Sequence, residues 1–342
     1  MKASIVIRSH NEAPRLKLVL RSLEQQVGLG EVVVVDDGST DTTPDVLAQA
    51  SRRLPLTIIR HQEPQGRSAT SNAGAAAASG DIVIFLDGDM LAGPGLVAAH
   101  LACHSGSDKM LIGRGEVWHL RCTRTLYDPD EGVPFPAQAD RYARLNAAEQ
   151  QAMKVTCEQI DQAFPAISSR AQKGVYPGVS PGVLHDAEMA ALKNFPDCSV
   201  LWAAASGSNQ SVRREMFLSA GGFDAAIDIN EHRELALRLV LAGAQMAAVE
   251  QARVYHLIHR SGWRDPLVST AWEELFWRRH PLPEVALLQV FWASLSAHPA
   301  ILPALRIGTL PHLADIAHAH RSIMASSAEQ CRGLMGYPER LA

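Results

Sequence analysis

The sequence has no apolar run of the roughly 18 residues that a membrane-spanning helix requires. Its first ten residues, MKASIVIRSH, pass directly into a strand pattern and do not resemble a signal peptide. Together these two absences predict a cytoplasmic protein. With a net charge of −4, the chain also lacks the basic surplus of a nucleic-acid-binding protein, so no nucleic-acid partner is expected.

Cysteine is scarce and scattered along the chain. The 342 residues include 5 cysteines, an odd number, and no two of them form a C-x-x-C pair. A disulfide framework and a structural zinc site are therefore both unexpected, and reduced thiols are the simplest interpretation. The 47% of apolar residues is nevertheless enough to build a substantial core.

Short β-branched apolar runs alternate with helical patterns in the first hundred residues. Strands are predicted at SIVIR, EVVVVDD, LTIIR and DIVIFL, and helices between them. This alternation predicts an α/β fold with a parallel sheet covered by helices on both faces. Later in the chain, CSVLWAAA predicts another strand, and from Arg264 onward the pattern is helical with prolines between the helices.

Charged and polar side chains collect where the predicted strands end. The second strand ends in Asp36 and Asp37, and the fourth runs into Asp87 and Asp89. In a parallel sheet these ends share the edge at which ligands bind. Carboxylates one residue apart suit Mg²⁺ or Mn²⁺ held together with a phosphate group. A single carboxylate could be a turn former, but several strands ending this way favour a binding site.

Four segments, taken in order, resemble family 2 glycosyltransferases, which have the GT-A fold: SIVIRSHNEAPRLKLVLRSLEQQ, EVVVVDDGSTDTT, GRSATSNAGAAAASGDIVIFLDGD and the stretch from GSNQSVRRE to VYH. The resemblance implies a Rossmann-like GT-A domain with a mostly parallel central sheet flanked by helices, plus a helical C-terminal extension. It divides the chain into a nucleotide-sugar-binding half at 1–103, a variable acceptor or lid region at 104–200, an acceptor-side half at 201–263 and the extension at 264–342.

The same resemblance implies a nucleotide-sugar site. Asp37 would accept a hydrogen bond from the base, and Asp87 would approach the ribose and the metal. Asp89 and His256 would ligate a divalent cation, Mn²⁺ or Mg²⁺, on the diphosphate. The other positions assigned to the nucleotide sugar are Arg8, Asn11, Asp36, Arg67, Asn72 and Gly88.

Some of these positions have a second interpretation. Asp36 is equally a turn cap, and Asn72 a polar residue on a helix surface. Arg8 stands where the family usually has a small or hydroxylated residue, so it could pair with phosphate, stack on the base or neutralise a neighbouring aspartate. His259 lies three residues beyond His256 and is a second histidine candidate.

The acceptor side departs from the family pattern. Many inverting relatives have Glu-Asp at the start of a helix, with the aspartate as general base, whereas this chain has Glu231 and His232. His232 suits proton abstraction near neutral pH, while Glu231 or Asp228 could replace it. Trp202 and Gly207 are the remaining acceptor-side candidates, the tryptophan either as a sugar platform or as a core residue.

The resemblance thus implies an enzyme that moves a sugar from a UDP- or GDP-sugar to a hydroxyl acceptor, metal-dependent and inverting. The acceptor is not identified by the sequence. One alternative is a non-catalytic nucleotide-sugar-binding protein. Another is a nucleotidyltransferase, disfavoured because no glycine follows the first strand. The apolar C-terminal helices predict packing against the catalytic domain or a homodimer, with peripheral membrane contact as the alternative.

Overall fold

The computed structural model describes residues 1–105, 110–120, 127–128, 133–134, 139–152, 154–174, 180–258 and 266–341. Four parallel strands form the first half of the central sheet in the spatial order β3-β2-β1-β4. They are β1 (Ala3–Ser9), β2 (Leu29–Asp37), β3 (Leu56–His61) and β4 (Ile82–Asp87). All four predicted strands of the first hundred residues are therefore present.

The sheet continues beyond β4 with strands of both directions. They are β5 (Met90–Ala92), β6 (Leu111–Leu120), β9 (Gln172–Lys173), β10 (Gln210–Arg213) and β11 (Gln245–Leu257). β10 lies antiparallel between β4 and β6, β11 is parallel to β6, and β5 pairs antiparallel with β11. β9 pairs with β6 off this path, and β7 (Tyr127–Asp128) and β8 (Val133–Pro134) form a separate small ribbon. This mixed α/β sheet with its parallel first half confirms the predicted fold class.

Helices connect and cover the strands. In the first 200 residues they are α1 (Ala13–Leu23), α2 (Thr43–Ala50), α3 (Arg67–Ala77), α4 (Leu96–His104), α5 (Ala139–Ala143), α6 (Ala147–Ala152), α7 (Cys157–Gln162), α8 (Phe164–Ser168) and α9 (Pro181–Asn194). α10 (Arg214–Ser219) and α11 (Glu231–Leu241) precede β11. The C-terminal part contains α12 (Ala271–Arg279), α13 (Pro283–Ala286), α14 (Leu288–Leu295), α15 (Leu310–Ala319) and α16 (Ala328–Leu334), with a 3₁₀ turn at Pro303–Leu305.

The strand predicted at CSVLWAAA is wrong. The chain forms a 3₁₀ helix at Leu201–Ala204 instead, and every residue of that helix is buried. A short, fully buried apolar run has no alternation, so periodicity cannot distinguish a strand from a helical turn. The strand of this region is β10, which begins eight residues after Trp202.

The C-terminal helices belong to the same buried core as one face of the sheet. That core contains Val6 of β1 and Phe85 of β4 together with Phe291 and Trp292 of α14. Packing of the extension against the sheet domain, one of the predicted alternatives, is therefore present. Homodimerisation and membrane contact remain predictions. Among the helices within the described ranges, none has the length and apolar character needed to cross a bilayer.

Candidate active site

A cavity of about 740 Å³ lies at the carboxyl edge of β1, β2 and β4, a size typical of small-molecule sites. The parallel order of these strands brings Arg8, Asp37 and Asp87 to its wall. The other predicted site residues that line it are Asn11, Arg67, Gly88, Asp89, Gly207, Glu231, His232 and His256. Of the acidic residues at the strand ends, Asp37, Asp87 and Asp89 therefore face one shared cavity, whereas Asp36 does not line it.

Asp37 is held firmly by its neighbours. Its Oδ1 accepts hydrogen bonds from the backbone N–H of Gln65 at 2.8 Å and from His61 Nδ1 at 2.6 Å, and its Oδ2 accepts from the Gly66 N–H at 3.0 Å. Burial by itself would raise the pKa of Asp37, but these hydrogen bonds outweigh it and lower the pKa. Asp37 is therefore an ionised, oriented acceptor at the cavity wall.

Arg8 links the two sides of the cavity. Its Nε donates to Asp87 Oδ1 at 2.6 Å, and its Nη1 donates to Glu231 Oε1 at 2.9 Å. Strand register makes the first contact, because Arg8 and Asp87 are paired residues of β1 and β4. Burial would lower the pKa of Arg8, but the two carboxylates raise it, so the guanidinium stays charged. Of the alternatives for Arg8, pairing with carboxylates is present, although with Asp87 and Glu231 rather than with Asp36 or Asp37.

The metal candidates lie close together. Asp89 Oδ2 is 3.4 Å from His256 Nε2, since Met90 of β5 pairs with His256 of β11. Among the described residues, no group of three or more His, Cys, Asp or Glu side chains is arranged to hold an ion. The donor set fits a cation such as Mg²⁺ or Mn²⁺, which commonly takes one or two protein ligands and completes its shell with phosphate oxygens and water. His259 lies outside the described residues.

Another carboxylate, that of Glu12, lies near Asp89 and was not predicted from the sequence. Glu12, at the start of α1, lines the cavity, and a Cβ added at Gly88 would overlap its Oε1. Burial raises the pKa of Glu12 to about 8, with further contributions from Asp89 and Asp87. A side chain at position 88 would therefore displace the Glu12 carboxylate, which no spacing rule in the sequence indicates.

Glu231 and His232 start α11 and face Gly207. Burial would raise the pKa of Glu231, but His232 and Arg8 lower it, so the carboxylate is ionised. Arg233 Nη1 lies 2.9 Å from His232 Nε2. Because a guanidinium can only donate, Nε2 must accept, which puts the ring proton of neutral His232 on Nδ1. That atom lies 3.7 Å from Glu231 Oε2. Burial lowers the pKa of His232, which keeps the ring neutral near pH 7.

A buried network continues from Arg233 away from the metal candidates. Arg233 Nη2 donates to Glu188 Oε1 at 3.3 Å, and Arg114 Nη2 donates to Glu188 Oε2 at 2.8 Å. The Arg233 guanidinium also lies over the Trp292 ring, 5.1 Å from its centroid. All four side chains line the cavity. Sequence reasoning missed them because the contacts join α9, α11, β6 and α14, which are far apart in the chain.

Three predicted site residues do not line the cavity. Asp36 accepts from the Ser39 N–H at 2.9 Å, which is the turn cap named as its alternative. Asn72 bonds both backbone groups of Phe223, each at 2.8 Å. Trp202 is fully buried and packs on Phe276 with ring centroids 5.7 Å apart. The sugar-platform interpretation of Trp202 is therefore wrong, because its ring is enclosed by core side chains.

Comparison with known proteins finds relatives for the first third of the chain. Residues 4–109 match the family model described as glycosyl transferase family 2. An uncharacterized glycosyltransferase, YfnE of Bacillus subtilis (strain 168), is 39% identical over 114 residues, which is 33% of this chain and 29% of YfnE. The predicted resemblance is therefore confirmed for residues 4–109. The fourth resembling segment, from GSNQ to VYH, lies beyond the matched range.

Solved structures show the GT-A fold over most of the chain. TarS 1–349 of S. aureus in complex with UDP-GlcNAc covers 87% of this chain and 71% of that chain, with a TM-score of 0.52 and 16% identity. The mannosyltransferase PcManGT of Pyrobaculum calidifontis, in complex with GDP-Man and Mn²⁺, covers 98% of this chain and 73% of that chain, with a TM-score of 0.51 and 16% identity. At these identities the similarity establishes the fold and leaves the substrates open.

Proposed function

We propose that this protein transfers a sugar from a nucleotide-diphosphate sugar to a hydroxyl acceptor, with a divalent cation and with inversion at the anomeric carbon. The observation that carries the proposal is one shared cavity, lined by Asp37 at the end of β2, by Asp87 and Asp89 at the end of β4, and by Glu231 of α11. The family match over residues 4–109 and the GDP-Man and Mn²⁺ bound by PcManGT support it.

In this proposal Asp37 orients the base, and Asp87 contacts the ribose. Asp89 and His256 hold the cation, which when bound stabilises the negative charge on the departing diphosphate. The strands that end in Asp37 and Asp87 and the strand that contains His256 lie in the order β2, β4 and β11 in the sheet. The region boundaries at 103, 200 and 263 are part of the same proposal.

Glu231 is the proposed general base. It is ionised, it lines the cavity beside Gly207, and both of its oxygens retain lone pairs. His232 is less suited, because its unprotonated Nε2 is occupied by Arg233. Asp228 also lines the cavity and remains the alternative. Arg8 orients Glu231 but lowers its basicity, so its removal should change the pH profile of turnover.

The test begins with donor binding. The melting temperature is measured with UDP-, GDP- and dTDP-sugars, each with and without Mn²⁺, because a ligand of the native state raises it by mass action. One donor should raise it in a metal-dependent way, and Asp89→Asn should remove the metal dependence. A chain that no nucleotide sugar stabilises would contradict the proposal.

A non-catalytic nucleotide-sugar-binding protein is the second candidate. It is favoured by one observation: Glu231 is paired with Arg8, and His232 accepts from Arg233, so two of the three sequence candidates for the base have partners that reduce their basicity. Donor binding without donor hydrolysis or transfer to any acceptor would support this alternative. Turnover that is lost in Glu231→Gln and kept in His232→Asn would exclude it.

A further inference from the structure

One end of the cavity is walled by helices instead of strand ends. α9 contributes His185 and Glu188, and the chain at the start of α11 contributes Asn230 and Arg233. α14 contributes Trp292. His185, Glu188, Asn230 and Trp292 are each no more than 4% exposed. We call these five residues the helical wall.

Arg233 holds the helical wall together. It donates to Asn230 Oδ1 at 2.8 Å and to Glu188 Oε1 at 3.3 Å, and its guanidinium covers one face of Trp292. His185 lies one turn before Glu188 on α9. The wall is therefore preorganised, with its side chains fixed before any ligand arrives.

Three polar atoms of this wall have no hydrogen-bond partner among the described residues. They are His185 Nε2, Asn230 Nδ2 and Trp292 Nε1. Buried polar atoms in folded proteins nearly always bond to protein, ordered water or a ligand. Three unsatisfied atoms on residues that line one cavity therefore favour a polar ligand at this wall. Two of them, the amide and the indole N–H, can only donate, which calls for oxygen atoms on that ligand.

The balance of charge agrees with an oxygen-rich ligand. Arg114 and Arg233 share the single carboxylate of Glu188, so the wall has more N–H donors than acceptors. Burial lowers the pKa of Arg233, and repulsion by Arg114 adds to this. Hydroxyl oxygens that accept hydrogen bonds from these guanidinium groups would reduce the free-energy cost of burying the two positive charges.

We propose that the helical wall is the acceptor subsite and that the acceptor is a sugar or polyol bound through several hydroxyl groups. This inference rests on the proposed glycosyl transfer. The amide of Asn230 and the indole of Trp292 donate to hydroxyl oxygens, and His185 Nε2 exchanges a hydrogen bond with another hydroxyl.

Gly207 gives the reacting hydroxyl access to the base. A Cβ at this position would lie 3.1 Å from His232 Nδ1 and 3.6 Å from Glu231 Oε1. With glycine there, the acceptor O–H reaches Glu231, which takes the proton. The oxygen then forms its bond to the anomeric carbon while the carbon–oxygen bond to the diphosphate breaks, and that electron pair leaves with the nucleoside diphosphate.

The test separates acceptor binding from donor binding. Calorimetric titrations use protein saturated with UDP or GDP and Mn²⁺, whichever the melting-temperature screen selects. The probes are free glucose, galactose, mannose, glycerol and glucuronate, with vesicles containing polyprenyl phosphate as the lipid arm. The variants are Trp292→Phe, which removes the indole N–H, and Trp277→Phe as a matched control, since Trp277 is equally buried but does not line the cavity.

The expected result is that at least one free sugar or polyol binds. In Trp292→Phe its affinity falls by roughly fivefold, the size of one neutral hydrogen bond, while nucleotide affinity and the Trp277→Phe control stay unchanged. Gly207→Ala should lower kcat and leave nucleotide affinity intact. Both effects together distinguish a subsite from a general loss of packing.

Two outcomes overturn the inference while leaving glycosyl transfer standing: nucleotide binding with no response to any sugar or polyol, or binding of the polyprenyl phosphate vesicles alone. A sugar that binds equally well to wild type and Trp292→Phe also overturns it. Failure of every nucleotide to bind refutes the proposed function instead. A sugar that binds in that case, and is weakened by Trp292→Phe, would establish a sugar site at the helical wall but would overturn its role as an acceptor subsite.

Discussion

Removing Arg8 should destabilise the protein in a pH-dependent way. Arg8→Met deletes the guanidinium that pairs with Asp87 and Glu231 but keeps an unbranched side chain of similar length to the aliphatic part of arginine. Glu231 is 2% exposed, so the ion pair is largely shielded from bulk water. Breaking a buried ion pair by removing one partner costs about 3–5 kcal/mol of unfolding free energy, a large fraction of a typical total of roughly 5–15 kcal/mol.

The sign of the pH dependence follows from Glu231. In the wild type its folded pKa lies below the ordinary 4.5, so its stabilising contribution is present above pH 4.5 and is lost as the pH falls below that. Without Arg8, only His232 opposes the effect of burial, and we expect burial to outweigh it and to raise the folded pKa of Glu231 above 4.5. The neutral carboxyl is then tolerated at low pH, and the variant loses stability as the pH rises. The gap between the two proteins should therefore widen from pH 5 to pH 8.

The assay is urea unfolding followed by tryptophan fluorescence at pH 5 and pH 8 without added metal. Arg8→Met/Glu231→Gln should recover part of the loss at pH 8, because the buried charge is gone. Arg278→Met is the matched control: it removes an arginine from an exposed i,i+4 pair with Glu274 and should cost about 0.5 kcal/mol or less. An equal loss at both pH values would refute the assignment of Glu231 as the destabilised group.

Three further predictions concern other parts of the chain. Burial lowers the pKa values of His100 and His104 to about 4. The free energy of unfolding should therefore fall as the pH is lowered from 6.5 to 4, by up to roughly 3 kcal/mol per histidine. In urea titrations at several pH values, His104→Gln should make this fall smaller. Gly88→Ala should weaken nucleotide binding with Mn²⁺ about tenfold by displacing Glu12, whereas Gly308→Ala, where nothing lies within 4 Å, should not change the measured Kd. Trp202→Phe should cost about 1–2 kcal/mol of stability and leave acceptor KM unchanged; an altered KM would restore the sugar-platform interpretation.

The fold and the acidic end of the site could be predicted from sequence because local rules determine them. Strand–helix alternation predicts a parallel sheet, and a parallel sheet brings strand ends such as Asp37 and Asp87 together. The direction of β10 and the 3₁₀ turn at Trp202 could not be predicted, because a buried apolar run has the same pattern in either conformation.

The helical wall was inaccessible to sequence reasoning for a different reason. Trp202 and Trp292 both lie in apolar runs and both belong to the buried core, and only tertiary packing decides that Trp292 also lines the cavity. Glu188 and Arg233 are 45 positions apart on different helices. Neither residue belongs to a spacing motif, and their contact exists only once α9 and α11 have packed. Glu12 was not predicted for the same reason, since the position of its carboxylate in the cavity depends on the space left at Gly88.

The position of Trp292 has a consequence for how such a protein can change over time. Its helix, α14, packs in the same core as Val6 of β1 and Phe85 of β4. The residue proposed to bind the acceptor therefore also contributes to the stability of the fold. Selection for a different acceptor would have to change core residues, so we expect substitutions at Trp292 to occur together with compensating substitutions in the residues packed around it. Exchanging the C-terminal helices between homologues would then transfer acceptor preference only when the residues of the sheet that pack against these helices are exchanged as well.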